Sequence, residues 1–230
     1  MIKGLKMKQI IAMFLLLCVS VCFAENKIFY TDGDKNSKKI ALTFDDGPGA
    51  ATEKILEILK DKNVKATFFL LGSRVERKPE LAKKVAEEGH EVQSHTYSHI
   101  SFFAYKNEDK DEKMENELLK AQKSIEKNTG VKPYLVRFPY GYSKDDAKKV
   151  VEKNGYKIIN WTFGCDWDRK LTADEMHKKY SGHIRNGAIF LMHDLNYNER
   201  LLSFLGDFID EIKAKGYELV TVSELLDLKK

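Results

Sequence analysis

The chain has 230 residues, 43% of them hydrophobic, which suffices for one well-buried core and leaves too little for a second full domain. Its formal net charge is +4, and residues 1–24 hold three lysines and no acid, so the remainder carries only +1 and lacks the electrostatic footprint of a nucleic-acid binder. Two of the three cysteines, Cys18 and Cys22, lie in that first segment, so Cys165 alone remains and an intrachain disulfide framework is excluded from the rest.

In chain order, Lys3, Lys6 and Lys8 precede an apolar run from Ile10 to Val21 that closes on Cys22-Phe23-Ala24. That is the charged, apolar, small-residue order of a secretory signal peptide, with cleavage expected after Ala24. The run falls short of the ~20 residues of a spanning helix, so no stable membrane insertion is expected after cleavage; an uncleaved anchor is the alternative. Residues 25–230 then form one exported domain, secreted, periplasmic or held at the cell wall.

From Lys39 onward, short β-branched and aromatic runs alternate with amphipathic stretches. The pattern predicts strands near 39–44, 64–70, 91–94, 134–137, 157–162, 188–192 and 218–222. Helices fall at 52–61, 76–88, 111–128, 144–154, 173–185 and 198–215, with a short one after Ser223. Thr172 and Glu175 make a capping box, Ser143 reads as an N-cap, and Gly89, Gly130, Gly155 and Gly216 stop helices. Strands followed by helices seven times over imply a parallel sheet, closed as a barrel or left open and doubly wound.

The unusual polar residues follow the strands. Asp45 and Asp46 come after the first, His95 and His99 after the third, Arg137 after the fourth, Asp166 and Trp167 after the fifth, His193 after the sixth. In a parallel α/β architecture those ends share one face, the usual place of the active site. His95 and His99 stand four apart and are expected to meet on one side of a helical turn. Adjacent aspartates repel unless something positive sits beside them, and an Asp with two His can hold a cation with open positions. Such an ion lowers the pKa of water from 15.7 toward ~7, and the second Asp then stays free to take a proton.

The segments TFDDGP (43–48), HTYSH (95–99), RFPYG (137–141), CDW (165–167) and LMH (191–193) resemble, in order, the five motifs of the polysaccharide deacetylases, carbohydrate esterase family 4. The resemblance runs from about Lys38 to Leu226. It implies a distorted (β/α)7-type barrel of parallel strands with the active site at their C-terminal ends, and it makes residues 25–230 the catalytic domain. By the same resemblance Asp46, His95 and His99 hold a divalent metal, zinc first, with cobalt, nickel or manganese also fitting. Asp45 is then the general base, Arg137 orients it, and the backbone N–H of Tyr140 donates to the oxyanion. His193 is the acid for the leaving group, Asp166 tunes it, and Trp167 and Leu191 wall the acetyl methyl.

The implied reaction removes N-acetyl groups from an N-acetylhexosamine polysaccharide, either peptidoglycan or chitin-type oligomers. O-acetyl ester hydrolysis on a xylan-type glycan is the enzymatic alternative, and a non-catalytic carbohydrate-binding protein on the same fold is the alternative of another class. The chain departs from the family pattern at Gly164, where an earlier Asp is common, and at Phe138, where Pro is frequent. Neither departure removes a ligand or a proton carrier. His90, His177 and His183 fall away from the strand ends and carry no assigned chemistry.

Overall fold

Strand β2 (Lys39–Asp45) sits between β3 (Thr67–Leu70) and β7 (Ile189–His193), and its side chains alternate strictly. Ile40, Leu42 and Phe44 point out to the helices, whereas Ala41, Thr43 and Asp45 point into the curved sheet, as the two-residue period of a strand requires. The computed structural model describes residues 27–196 and 198–228; the expected signal peptide at 1–24 lies outside them.

Every described strand pair is parallel. The order is β1 (Phe29–Tyr30), β6 (Lys157–Ile159), β5 (Leu135–Val136), β4 (Glu91–Ser94), β3, β2, β7, with β8 (Glu218–Leu219) pairing the start of β2. Past the end of β6 the chain swings to β7: Thr162 N–H donates to the Ile189 carbonyl at 2.8 Å, and Leu191 N–H to that of Phe163 at 2.8 Å. This bridge curls the sheet into the distorted barrel that the family resemblance implies.

Helix α1 (Thr52–Asp61) buries Ile55, Leu56 and Leu59 against the outer face, each worth ~1.5–3 kcal/mol. Helices α6 (Ala173–Ser181) and α7 (Glu199–Ala214) complete that side, with Tyr180, Phe190, Phe204 and Phe208 packed ring to ring. A short helix α8 (Val222–Leu225) plugs the opposite end of the barrel, where Val222 and Leu225 join Ala41, Phe69 and Ile189. The plug leaves the C-terminal ends of the strands as the open face.

The differences from the predicted elements have local causes. The helix expected at 76–88 is two, α2 (Gly72–Arg77) and α3 (Pro79–Glu87), because Pro79 cannot continue a helix and drives Lys78 to φ −135°, ψ 59°. The last strand ends at Leu219, not 222, because Thr221 already caps α8 through a capping box with Glu224. The pairing of β1 with β6 joins residues more than a hundred positions apart and was not predicted. Ser143 is not the N-cap of α5 (Asp145–Lys153); Lys144 holds that position with no side-chain cap. The Thr172–Glu175 capping box forms as expected, and the four helix-stopping glycines all have positive φ.

Candidate metal-centred active site

The parallel register sets Asp45 beside His193 on β7. At that point the inward face of β2 turns polar, and the buried charge needs a partner. Arg137, at the end of β5 and with no exposure, provides it: its Nη1 donates to Asp45 Oδ1 at 2.7 Å and to the Thr43 hydroxyl at 2.7 Å. Its Nε and Nη2 donate to the carbonyls of Ile159 and Asn160, both at 3.0 Å, and the guanidinium lies 4.3 Å over the Phe69 ring. Burial pulls the guanidinium pKa down while Asp45 opposes that shift. With its donors so distributed, Arg137 holds Asp45 in one orientation.

One residue on, Asp46 has φ 73°, which reverses its side chain away from the strand direction. Its Oδ1 lies 3.3 Å from His95 Nε2 and 3.2 Å from His99 Nε2, yet this buried oxygen makes no aligned hydrogen bond. His95 Nδ1 is 2.6 Å from the Arg137 carbonyl, so that nitrogen carries the proton and Nε2 presents a lone pair. A carboxylate oxygen and two imidazole nitrogens, all within 4.8 Å of one another, therefore converge on one volume. Lone pairs so arranged repel unless a cation or a proton stands between them, and one oxygen with two nitrogens suits a divalent metal. Burial pushes the Asp46 carboxyl up in pKa, but positive charge on His95 and His99, when these rings are protonated, outweighs it and holds the group well below the usual carboxylate range.

His95 and His99 do not share a helical turn. Residues 95–99 form an irregular bend in which Thr96 has φ 68° and His99 φ 63°. Glu117 on α4 (Lys110–Thr129) secures the bend, accepting from Ser98 N–H at 2.7 Å, Tyr97 N–H at 3.2 Å and the Ser98 hydroxyl at 2.8 Å. Left-handed backbone, seen at Asp46 and His99, also occurs at Tyr140 (φ 61°). The Tyr140 ring meets His99 edge-on at 5.1 Å, and its backbone N–H has no acceptor among the described residues.

On the other side of the site, His193 Nδ1 is 2.9 Å from Asp166 Oδ1, and His193 N–H donates to Asp166 Oδ2 at 2.8 Å. Burial alone would lower the His193 pKa, but the hydrogen bond and charge of Asp166, with Asp45 and Asp46 beyond, push it up to about 9. The Trp167 ring stands edge-on to His193 at 5.5 Å and is 53% exposed, while Leu191 is buried. A Cβ on Gly164 would come within 2.9 Å of Leu191 Cβ and 3.0 Å of the Trp167 ring, so the side-chainless residue lets these two approach. Asp46, Asp166, Trp167 and His193 line an open cleft of about 790 Å³.

All ten sequence-predicted site residues thus gather at the open face. Sequence reasoning missed Glu117 and Asp194. Asp194 has no exposure, accepts from the Thr52 hydroxyl at 2.5 Å, and leaves its Oδ1 without a partner. Its carboxylate would collide with any Cβ at Gly47, and its backbone joins Asp45 and Ala51 by hydrogen bonds at 3.1 and 3.2 Å. Burial, with Asp46 and Asp45 adding, pushes its pKa up to about 7. The only signal in the sequence was an acid directly after a strand-end histidine.

Residues 32–159 match the family model described as polysaccharide deacetylase. Over 192 residues the chain is 40% identical to the peptidoglycan-N-acetylglucosamine deacetylase PgdA of Listeria monocytogenes, covering 83% of this chain and 39% of that protein. The chain therefore spans about two fifths of the length of that relative. It is 38% identical over 200 residues to a peptidoglycan-N-acetylglucosamine deacetylase of Bacillus cereus, covering 84% and 91% respectively. Among solved structures, the Bc1960 peptidoglycan N-acetylglucosamine deacetylase superposes with a TM-score of 0.83 at 32% identity, over 90% of this chain and 96% of that one. The BA3943 protein of Bacillus anthracis, described as a CE4 family pseudoenzyme, superposes with a TM-score of 0.79 at 30% identity, over 88% and 70%.

Proposed function

The chain belongs to the polysaccharide deacetylase family, and from that premise we propose that it is an exported, metal-dependent hydrolase removing N-acetyl groups from peptidoglycan or from chitin-type N-acetylglucosamine oligomers. One observation carries the reading: the orphaned, buried Asp46 Oδ1 faces two imidazole lone pairs beside a carboxylate that Arg137 keeps separate. That arrangement divides two adjacent acids between holding an ion and moving a proton.

Asp46, His95 and His99 would hold the divalent ion, zinc or another metal that accepts nitrogen and carboxylate ligands. When bound, it supplies Lewis acidity and acidifies water toward neutral pH. Asp45, fixed by Arg137, takes the proton from the attacking water. The free N–H of Tyr140 donates to the carbonyl oxygen as it gains charge, an interaction worth ~3 kcal/mol in comparable holes. His193, kept protonated by Asp166, gives its proton to the departing amine nitrogen. Trp167, which lines the cleft, with the buried Leu191 behind it at Gly164, would bound the space for the acetyl methyl.

The raised His193 pKa favours amide over ester substrates, because an alkoxide leaves with less help than an amine. A pseudoenzyme among the structural relatives means that fold alone does not make the reaction; here base, acid and ligands are all present. Export rests on the order of residues 1–24, and residues 25–230 are proposed as the catalytic domain. The test is acetate release from N-acetylglucosamine oligomers, abolished by a chelator and restored by a divalent ion. Metal-loaded protein that turned over no acetylated glycan would instead be a carbohydrate-binding member of the family.

A further inference from the structure

The cleft that holds His193 and Asp46 is also lined by Arg169 and Arg200, which the proposed chemistry does not use. Arg169 is exposed and has no ion-pair or hydrogen-bond partner among the described residues. It stands two residues from Trp167, whose ring touches His193, so the two Cα atoms are at most ~7 Å apart. Its backbone is fixed on both sides. Arg200 Nη1 donates to the carbonyls of Asp168 at 3.0 Å and Leu171 at 2.6 Å, and Lys170 N–H donates to Asp168 Oδ1 at 2.9 Å.

The charges in this part of the cleft do not cancel. Arg200 is bound only to carbonyl oxygens, and Glu199 lines the cleft with no cation paired to it among the described residues. In the loop itself the charge of Asp168, whose carboxylate accepts from the Lys170 N–H, is offset by that of Lys170. Asp46 and Asp166 line the same cleft, but the first faces the two histidines and the second is bound to His193. Two guanidiniums against one free carboxylate leave a positive surplus next to the acid that serves the leaving amine. A neutral acetylated polymer would not use it, while a planar guanidinium matches a carboxylate with two parallel hydrogen bonds. Holding the loop in advance lowers the ordering cost of that contact.

We propose that Arg169, in the loop that Arg200 braces, is a specificity-determining residue that binds a carboxylate carried by the sugar next to the one being deacetylated. This deepens the deacetylase reading and rests on it for the position of the reacting sugar. The carboxylate can come from the lactyl ether of a muramic acid whose carboxyl is not amide-linked to a peptide, or from a uronic acid, and the two share the same recognition chemistry.

The experiment measures binding by calorimetry in an Asp45→Asn background that is expected to keep the metal without turnover, wild type here meaning Arg169 unchanged. It uses the whole metal-loaded protein and four ligands of matched length. These are an alternating N-acetylglucosamine and N-acetylmuramic acid tetrasaccharide, its methyl ester, a uronate-bearing oligomer and a neutral N-acetylglucosamine oligomer. Wild type is expected to bind a free acid about tenfold tighter than the ester or the neutral chain, by a gap that shrinks at high salt. Arg169→Gln should erase that gap and leave the ester and neutral ligands unchanged, and Arg169→Lys should keep part of it. Which acid shows the gap identifies the source. Equal binding of acid and ester by wild type, or a gap that survives Arg169→Gln, overturns the proposal. Because binding is read without turnover, a protein that releases no acetate but keeps an Arg169-dependent gap would fail the deacetylase reading and not this one.

Discussion

Removing the carboxylate behind His193 isolates the group that keeps the imidazole charged. In Asp166→Asn the contact at 2.9 Å survives in shape but loses its charge, while burial still presses the His193 pKa down from its value of about 9. Asp45 and Asp46 remain as weaker support, so the value should fall to about 6.5, the ordinary histidine value, or below. Roughly 2.5 units at ~1.4 kcal/mol each is ~3 kcal/mol. The side chain is 28% exposed, so solvent screening trims this to ~2–3 kcal/mol. At pH 8 the protonated fraction would drop from ~90% to ~3%, a loss of about 30-fold in kcat/KM on an amide, whereas near pH 5.5 the two proteins should agree within about threefold. A bound cation lowers both values together, so the pH window in which the two proteins differ moves down while its width stays the same. The assay is the pH profile of acetate release, with the His193 ring titrated by NMR. A loss of the same size at every pH, or a ring still titrating near the wild-type value, would refute the reasoning. The folding linkage has a definite sign too: a raised histidine pKa adds stability in full below ~6.5 that fades as pH climbs through about 9, and Asp166→Asn should lack that decline.

Asp45→Asn should abolish turnover, by a factor of about 100 or more, yet retain metal near the wild-type level by elemental analysis, because Asp45 is held by Arg137 rather than by the ligand cluster; large metal loss contradicts that division. His193→Ala should slow amide substrates at least ~100-fold and activated acetyl esters much less, and equal losses on the two would count against its acid role. Asp194 has its pKa raised by burial, so its contribution to stability is complete below ~4 and disappears as pH rises through about 7. In chelator-treated protein, urea unfolding at pH 5 and pH 8 should therefore show wild type losing ~2–3 kcal/mol more than Asp194→Asn. Parallel behaviour of the two proteins would mean that Asp194 is already ionised at pH 5.

Much of this protein can be read from residues in sequence order, because the signals are local. The strand expected at 39–44, the helix at 52–61 and the Thr172–Glu175 cap each depend on neighbours a few positions apart, and each appears in the fold. The ten candidate site residues could be singled out for a related reason: most lie at or beyond the ends of strands, and parallel strands bring their C-terminal ends to one face. Tertiary structure decided what depends on distant partners. The four-residue spacing of His95 and His99 suggested a helical turn, but an irregular bend tied to Glu117 brings them together. Arg137 reaches Asp45 across 92 positions, and Thr52 reaches Asp194 across 142. β1 finds β6, and residues 162–163 cross to β7 to close the barrel. Periodicity and turn chemistry report the environment of one segment, whereas strand order, register and the pairing of buried charges are settled only when all segments compete for the same interior.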